Sequence, residues 1–241
     1  MRDECEITRE QIEAWLSPAR YSSYLSVADG KDDVALALYL WNTGLAQAVL
    51  RDVSFFEVAL RNAYNSCLEK GFDGDEHWLF DEESPIRRPI LRTNKRKQLV
   101  DSNRINRNTI DHLLDGPGSE ATPDDVIANL TLGFWTHMTD TNHERDLWIP
   151  TIHKAWNPGT SRKSLHHTLS EINKVKNRAA HHEHLFAPLG AECATRKACD
   201  DAMLLFGQLQ PEVFEYVYGD MPKSSVDSYI EEHPAPCALT I

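Results

Sequence analysis

DDVALALYLWNTGLAQAVLRDVSFFEVALRNAYNSCLEK, residues 32–70, decides the fold class. Leu36, Leu40, Leu45 and Val49 recur four or five positions apart, the spacing of one buried helical stripe. Phe55, Phe56, Val58, Ala59 and Leu60 continue the apolar character towards Lys70. Asp32 and Asp33 suit the positive end of a helix, and Gly71 suits the position just past its last turn. Arg51-Asp52 interrupts the pattern, so the stretch reads as two long helices or one kinked helix.

Helix signals continue outward on both sides. Upstream, Thr8 and Gln11 have capping-box spacing ahead of Ile12, Trp15 and Leu16. Pro18 opens a second helix over Tyr21, Tyr24 and Leu25. Downstream, residues 71–90 read as a loop anchored by Trp78 and Phe80, and residues 91–114 as a basic helix. Gly116-Pro117-Gly118-Ser119 is a loop. Thr122, Pro123, Asp124 and Asp125 then start a helix carrying Val126, Ile127, Leu130, Phe134 and Trp135. After a loop at 157–160, Ser161 caps a helix with the stripe Leu165, Leu169, Ile172, Val175 and Ala179. Helices at 191–209 and 211–218 precede a polar tail containing Pro234 and Pro236. Hairpin signatures, internal repeats and a Gly-rich phosphate loop are missing, so the expectation is an all-α protein.

Composition narrows the function classes. Hydrophobic residues at 41% and charged residues at 26% are the balance of a soluble globular chain, and six Trp and seven Tyr argue against disorder. No apolar run approaches the ~20 residues that span a bilayer, and the acidic start Met1–Glu6 is no signal peptide. Cys5, Cys67, Cys193, Cys199 and Cys237 are scattered without a Cys-x-x-Cys pair, which predicts a reduced, cytoplasmic location. Net charge is −12, yet residues 86–107 hold Arg87, Arg88, Arg92, Lys95, Arg96, Lys97, Arg104 and Arg107 against Asp101 alone. That stretch reads either as a solvated face or as an RNA-binding patch, with Arg92, Lys95, Arg96, Arg104 and Arg107 as its candidates.

The helix after Ser161 ends in Lys176, Asn177, Arg178, His181, His182, Glu183 and His184. Neighbours four apart share a face, which pairs Asn177 with His181 and Arg178 with His182. Cations beside imidazoles suit metal-free RNA cleavage. A base takes the 2′-OH proton, an acid protonates the leaving 5′-oxygen, and a cation stabilises the phosphorane. Two other readings stand beside it. Cations gather at helix C-termini for structural reasons, and His181, His182 and His184 are close enough to suggest zinc, though without His-Glu-x-x-His or a nearby Cys.

Three blocks together resemble a known family, the Abi-like (AbiD/AbiF-type) abortive-infection proteins. They are Phe56–Ala63, Val126–Trp135 and Asn177–Glu183. The resemblance implies membership of the HEPN ribonuclease superfamily and an all-α, HEPN-like helical bundle with additional peripheral helices. The corresponding layout is an N-terminal helical extension over 1–30, the helical domain over 31–218 and the tail over 219–241. It also implies a metal-independent endoribonuclease of an antiphage or toxin–antitoxin system. RNA would be the partner, an antitoxin or small RNA the regulator, and a homodimer the frame of a composite site; no cofactor, metal or membrane would be involved. The family signature is Arg, a polar residue, three residues, then His. Asn177 and His181 match it, whereas Lys176 stands at the Arg position and lacks the planar fork of a guanidinium. Lys176, Asn177, Arg178, His181 and His182 are therefore the catalytic candidates. Glu57 and Arg61, four apart, are either a structural ion pair or residues that orient the motif from behind. A non-catalytic RNA-binding module and a helical protein–protein adaptor are the rival functions.

Overall fold

Local capping chemistry starts the chain. In the computed structural model, which describes residues 7–115, 121–189 and 194–241, helix α1 (Arg9–Leu16) opens with the Thr8–Gln11 box, both of its hydrogen bonds formed. Ser17 caps α2 (Pro18–Val27), with Pro18 in the first turn. The expectations placed on Cys5, Cys193 and the Gly116–Ser119 loop lie outside the described residues.

Residues 32–71 form one helix, α3 (Asp32–Gly71), rather than two. Its buried face is set by Ala35, Leu38, Asn42, Leu45, Val49, Asp52, Val53, Phe56, Leu60, Tyr64 and Leu68. The predicted stripe was right at Leu45 and Val49 but out of phase at its start, where Leu40 is 54% exposed. Nor does Asp52 break the helix. Its side chain is buried and accepts from Ser225 N at 2.6 Å and Ser225 Oγ at 2.7 Å. The acid in the middle of α3 is thus the anchor for the start of α10 (Ser225–Glu232).

Contacts divide the chain into two units, with boundaries after residues 53, 173, 200 and 220. The first comprises residues 1–53, 174–200 and 221–241. In it Tyr21 and Tyr24 are fully buried, Tyr21 donating to Asp32 Oδ1 at 2.7 Å. Burial, with Asp32 alongside, pushes the Tyr21 phenol up to about 12. Of the stretch 219–241, read as a polar tail, residues 221–241 are built into this unit. Besides α10, Trp41 Nε1 donates to His233 O at 2.7 Å, and Ala187 N donates to Thr240 O at 2.7 Å. Gly44 leaves room for the Tyr229 side chain against α3, because a Cβ there would clash with the Tyr229 hydroxyl.

The second unit comprises residues 54–173 and 201–220. Residues 91–114 are not one basic helix. Strands β1 (Leu91–Thr93) and β2 (Leu99–Asp101) pair antiparallel, and α4 (Arg104–Leu114) follows. Asn94 explains the turn: its Oδ1 accepts from Arg96 N at 2.9 Å and Gln98 N at 3.0 Å, a competitor that helical hydrogen bonding does not win against. The helix expected from Thr122 onward is also two, α5 (Pro123–Asn129) and α6 (Leu132–His137). Thr131, the N-cap of α6, makes no side-chain cap bond; Glu57 from α3 accepts the Leu132 N–H instead, at 2.6 Å. Arg61, one turn on, donates to Ala128 O at 3.2 Å. Three buried tryptophans of this unit donate their indole N–H to a partner: Trp78 to Asn65, Trp135 to Leu130 O and Trp156 to Tyr64. Helix α7 (Arg162–Ala180) buries the whole predicted stripe. Helices α8 (Thr195–Leu209) and α9 (Pro211–Tyr218) complete the set.

Candidate active site

The end of α7 carries the motif. Two bonds define how the helix stops: Glu183 N donates to Arg178 O at 2.8 Å and His182 N to Ala179 O at 3.1 Å. These are the crossed bonds of a Schellman terminus, with His182 in the left-handed position at φ 56°. Glycine usually fills that position, but histidine tolerates it better than most residues. The side-chain contact that normally seals such a terminus is apolar. Here it is an ion pair, Arg178 Nε to a Glu183 carboxylate oxygen at 3.7 Å.

The motif residues separate into two groups. Asn177 and His181 are exposed, and His181 N still donates to Asn177 O at 2.9 Å, so both stand on the same edge of the last turn. Lys176 beside them is half-exposed, and His182 is exposed. Arg178 turns inward: its Nε donates to His184 O at 3.0 Å and braces the chain as it leaves the helix. His184 also turns inward. Its Nε2 lies 3.0 Å from Ser23 Oγ, and its ring packs on Tyr24 and Phe186. Burial, then the nearby charges of Arg178 and Arg20, lower the His184 pKa. Since His184 is held by Ser23, it does not converge with His181 and His182 as the zinc alternative requires.

Sequence reasoning missed the residue that pins this turn. Asn42, buried on α3, donates to Glu183 O at 3.0 Å and to Tyr24 Oη at 3.3 Å, and accepts from Leu185 N at 3.0 Å. The only available signal was a carboxamide in the middle of an apolar helical run.

Glu57 and Arg61 hold the α5–α6 junction by the bonds given above, each to the backbone of that junction. The basic stretch also divides. Arg87 and Arg107 are spent internally, on Asp111, Leu79 O, Asp101 and Arg87 O. Arg92 is held by Asp146 at 2.7 Å and Asn142 O at 2.9 Å, and Arg88 by Asp146 at 3.2 Å. Lys95, Arg96 and Lys97 at the hairpin tip and Arg104 on α4 are exposed.

A second cluster went unread. Among the described residues, one grouping has metal-ligand spacing: His137, Asp140 and His143. Burial, then the neighbouring His143, lowers the His137 pKa. At Asp140 burial acts upward, but the hydrogen bond and charge of His143 outweigh it and bring the carboxyl down to about 2. Its sequence signal was a histidine, an aspartate and a histidine at intervals of three, a pattern without specificity of its own.

A family model described as Abi-like protein matches residues 19–187. The chain belongs to the Abi-like family. The match runs from the start of α2 through the motif, so all three blocks quoted above fall inside it. No curated protein and no solved structure gives a match. The helical architecture of this Abi-like chain fits the all-α expectation, and among its described residues no helix is long and apolar enough to cross a membrane.

Proposed function

We propose that this Abi-like protein is a HEPN-type, metal-independent endoribonuclease acting in abortive infection or a toxin–antitoxin pair. The observation that carries the reading is the exposed Asn177–His181 edge of α7, flanked by Lys176 and held in place by the Schellman terminus, Arg178 and Asn42. In the reaction the 2′-oxygen attacks the adjacent phosphorus and the P–O5′ bond breaks. The 2′-OH proton passes to a base, and a proton from an acid goes to the 5′-oxygen, leaving a 2′,3′-cyclic phosphate and a 5′-OH. His181 serves as acid or base; a neutral and a protonated copy from two protomers would supply both roles. Lys176 stabilises the phosphorane charge, Asn177 orients the phosphate, and His182, exposed one residue on, assists from solvent. Arg178 acts through the turn it braces. The exposed cations Lys95, Arg96 and Arg104 would track the RNA backbone.

The test is cleavage of total RNA in EDTA. His181→Ala should lose about 10²–10⁴-fold. Full cleavage by His181→Ala would overturn the assignment, as would activity at concentrations where the protein is monomeric for the composite site. Lys176 in place of Arg favours a second reading, an RNA-binding module without turnover. Copurifying RNA that stays intact, with cleavage appearing in Lys176→Arg, is its expected result.

A further inference from the structure

The His137, Asp140, His143 cluster lies wholly in the second unit. His137 is the last residue of α6, and Asp140 caps the 3₁₀ turn Thr141–His143, accepting from Asn142 N at 2.8 Å and His143 N at 3.0 Å. One ligand atom from each of the three residues lies within 4.8 Å of the others.

Two buried carboxamides dictate which ring nitrogens face inward. Asn103 Nδ2 donates to Pro85 O at 2.7 Å and Arg88 O at 2.8 Å, so its Oδ1 is an acceptor. That oxygen takes the N–H of His143 Nε2 at 2.9 Å. Asn106 Nδ2 donates to the same Asn103 Oδ1 at 3.1 Å, so Asn106 Oδ1 is also an acceptor and takes the N–H of His137 Nδ1 at 2.9 Å. His143 Nδ1 and His137 Nε2 are left turned to Asp140, at 2.6 Å from Oδ1 and 3.5 Å from Oδ2. At the shorter contact Nδ1 and the carboxylate oxygen are close enough to share either a proton or a metal cation. The longer one sets an imidazole lone pair against a carboxylate oxygen, two electron-rich atoms that a shared cation reconciles. Carboxamides that fix imidazole tautomers from behind are what a metal's outer partners do.

We propose that His137 Nε2, Asp140 and His143 Nδ1 bind one divalent transition-metal ion, with zinc the best fit to two imidazoles and a carboxylate. Metal–ligand bonds of about 2.0–2.2 Å place ligand atoms roughly 3–4 Å apart, so the cluster closes on an ion with small side-chain rotations. Three protein ligands leave a further coordination position, which the partly exposed edges of His137 and Asp140 open to water. The ion would tie α4, through Asn103 and Asn106, to the end of α6. It is separate from the α7 motif, whose chemistry needs no metal.

The protein is stripped with chelator and titrated with Co²⁺, read by its ligand-field absorption, with Zn²⁺ as competitor. One equivalent is expected, displaced by one equivalent of Zn²⁺, with Zn²⁺ also raising Tm. Asp140→Asn and His137→Gln should abolish the spectrum while far-UV circular dichroism stays unchanged. Asn106→Ala, which touches no metal, should weaken binding about 10–100-fold through the lost tautomer control. His181→Ala should bind as the wild type does. No saturable spectrum in the wild type, or one that survives Asp140→Asn or disappears in His181→Ala, overturns the site. RNA cleavage in EDTA is read independently, so either conclusion can fail alone.

Discussion

Replacing Asn42 by Ala tests how the turn that ends α7 is held. The side chain makes three hydrogen bonds inside the first unit, at 3.0 Å to Glu183 O, 3.0 Å from Leu185 N and 3.3 Å to Tyr24 Oη. Leu185 is fully buried, so its N–H loses its partner with no water to replace it, a cost of about 1–3 kcal/mol. Glu183 is exposed and its carbonyl regains water, so that bond contributes about 1 kcal/mol. The total, about 2–4 kcal/mol, corresponds to a Tm drop of about 5–15 °C for a chain of this size. Urea denaturation gives the free energy, and RNA cleavage measured well below the variant's midpoint should fall further than the unfolded fraction accounts for. Asn42→Asp is a sharper control. It keeps the acceptor for Leu185 N–H but sets a carboxylate oxygen against Glu183 O, and should cost at least as much. If Asn42→Ala unfolds within about 0.5 kcal/mol of the wild type, the range of a neutral surface change, residues 183–185 are not pinned by Asn42 and the account of the turn is wrong.

Gly44→Ala places a methyl 2.2 Å from the Tyr229 hydroxyl and should cost about 1–3 kcal/mol; Tyr229→Ala in the same chain should relieve most of that, read as non-additivity in a double-mutant cycle. His182→Gly relieves a left-handed histidine while loosening the unfolded chain, so stability should lie between unchanged and about 1 kcal/mol higher; a clear loss would contradict the Schellman terminus. His184 has a lowered pKa, so the unfolded chain takes up its proton first. Stability is fully present above about pH 6.5 and declines as pH falls below it, a slope that His184→Gln should flatten in pH-dependent melting.

Features set within a few residues were readable from sequence. The Thr8 and Thr122 caps, Pro18 and Pro123 at helix starts, and the α7 stripe all depend on neighbours in the chain, and all formed as expected. Errors arose where a distant partner decided the outcome. Asp52 looked like a break because Ser225, its reason for being buried, lies 173 positions away. The α5–α6 division carries no glycine or proline; Glu57 caps α6 from 75 positions upstream. The stripe of α3 was misphased because Leu36 and Leu40 are larger than Ala35, though Ala35 and Leu38 face the core. Charge density suggested a helix at 91–114, while one Asn94 side chain sufficed for a turn. At the site, the positions of Asn177 and His181 follow from helix periodicity alone. The inward turn of Arg178 and His184 depends on where the helix stops and on Ser23, Tyr24 and Asn42, none of which the motif discloses.

That stopping point acts as a ruler. Because the amide of residue 183 closes on the carbonyl of residue 178, the last imidazole stands at a set distance from the signal that ends the coil. One residue inserted before Ala180 would swing Lys176 and Asn177 by about 100° relative to His181, keeping every functional group yet scattering them. An insertion beyond Glu183 would leave their alignment intact. Where α7 terminates is therefore as much a determinant of how the motif is arranged as which side chains it carries.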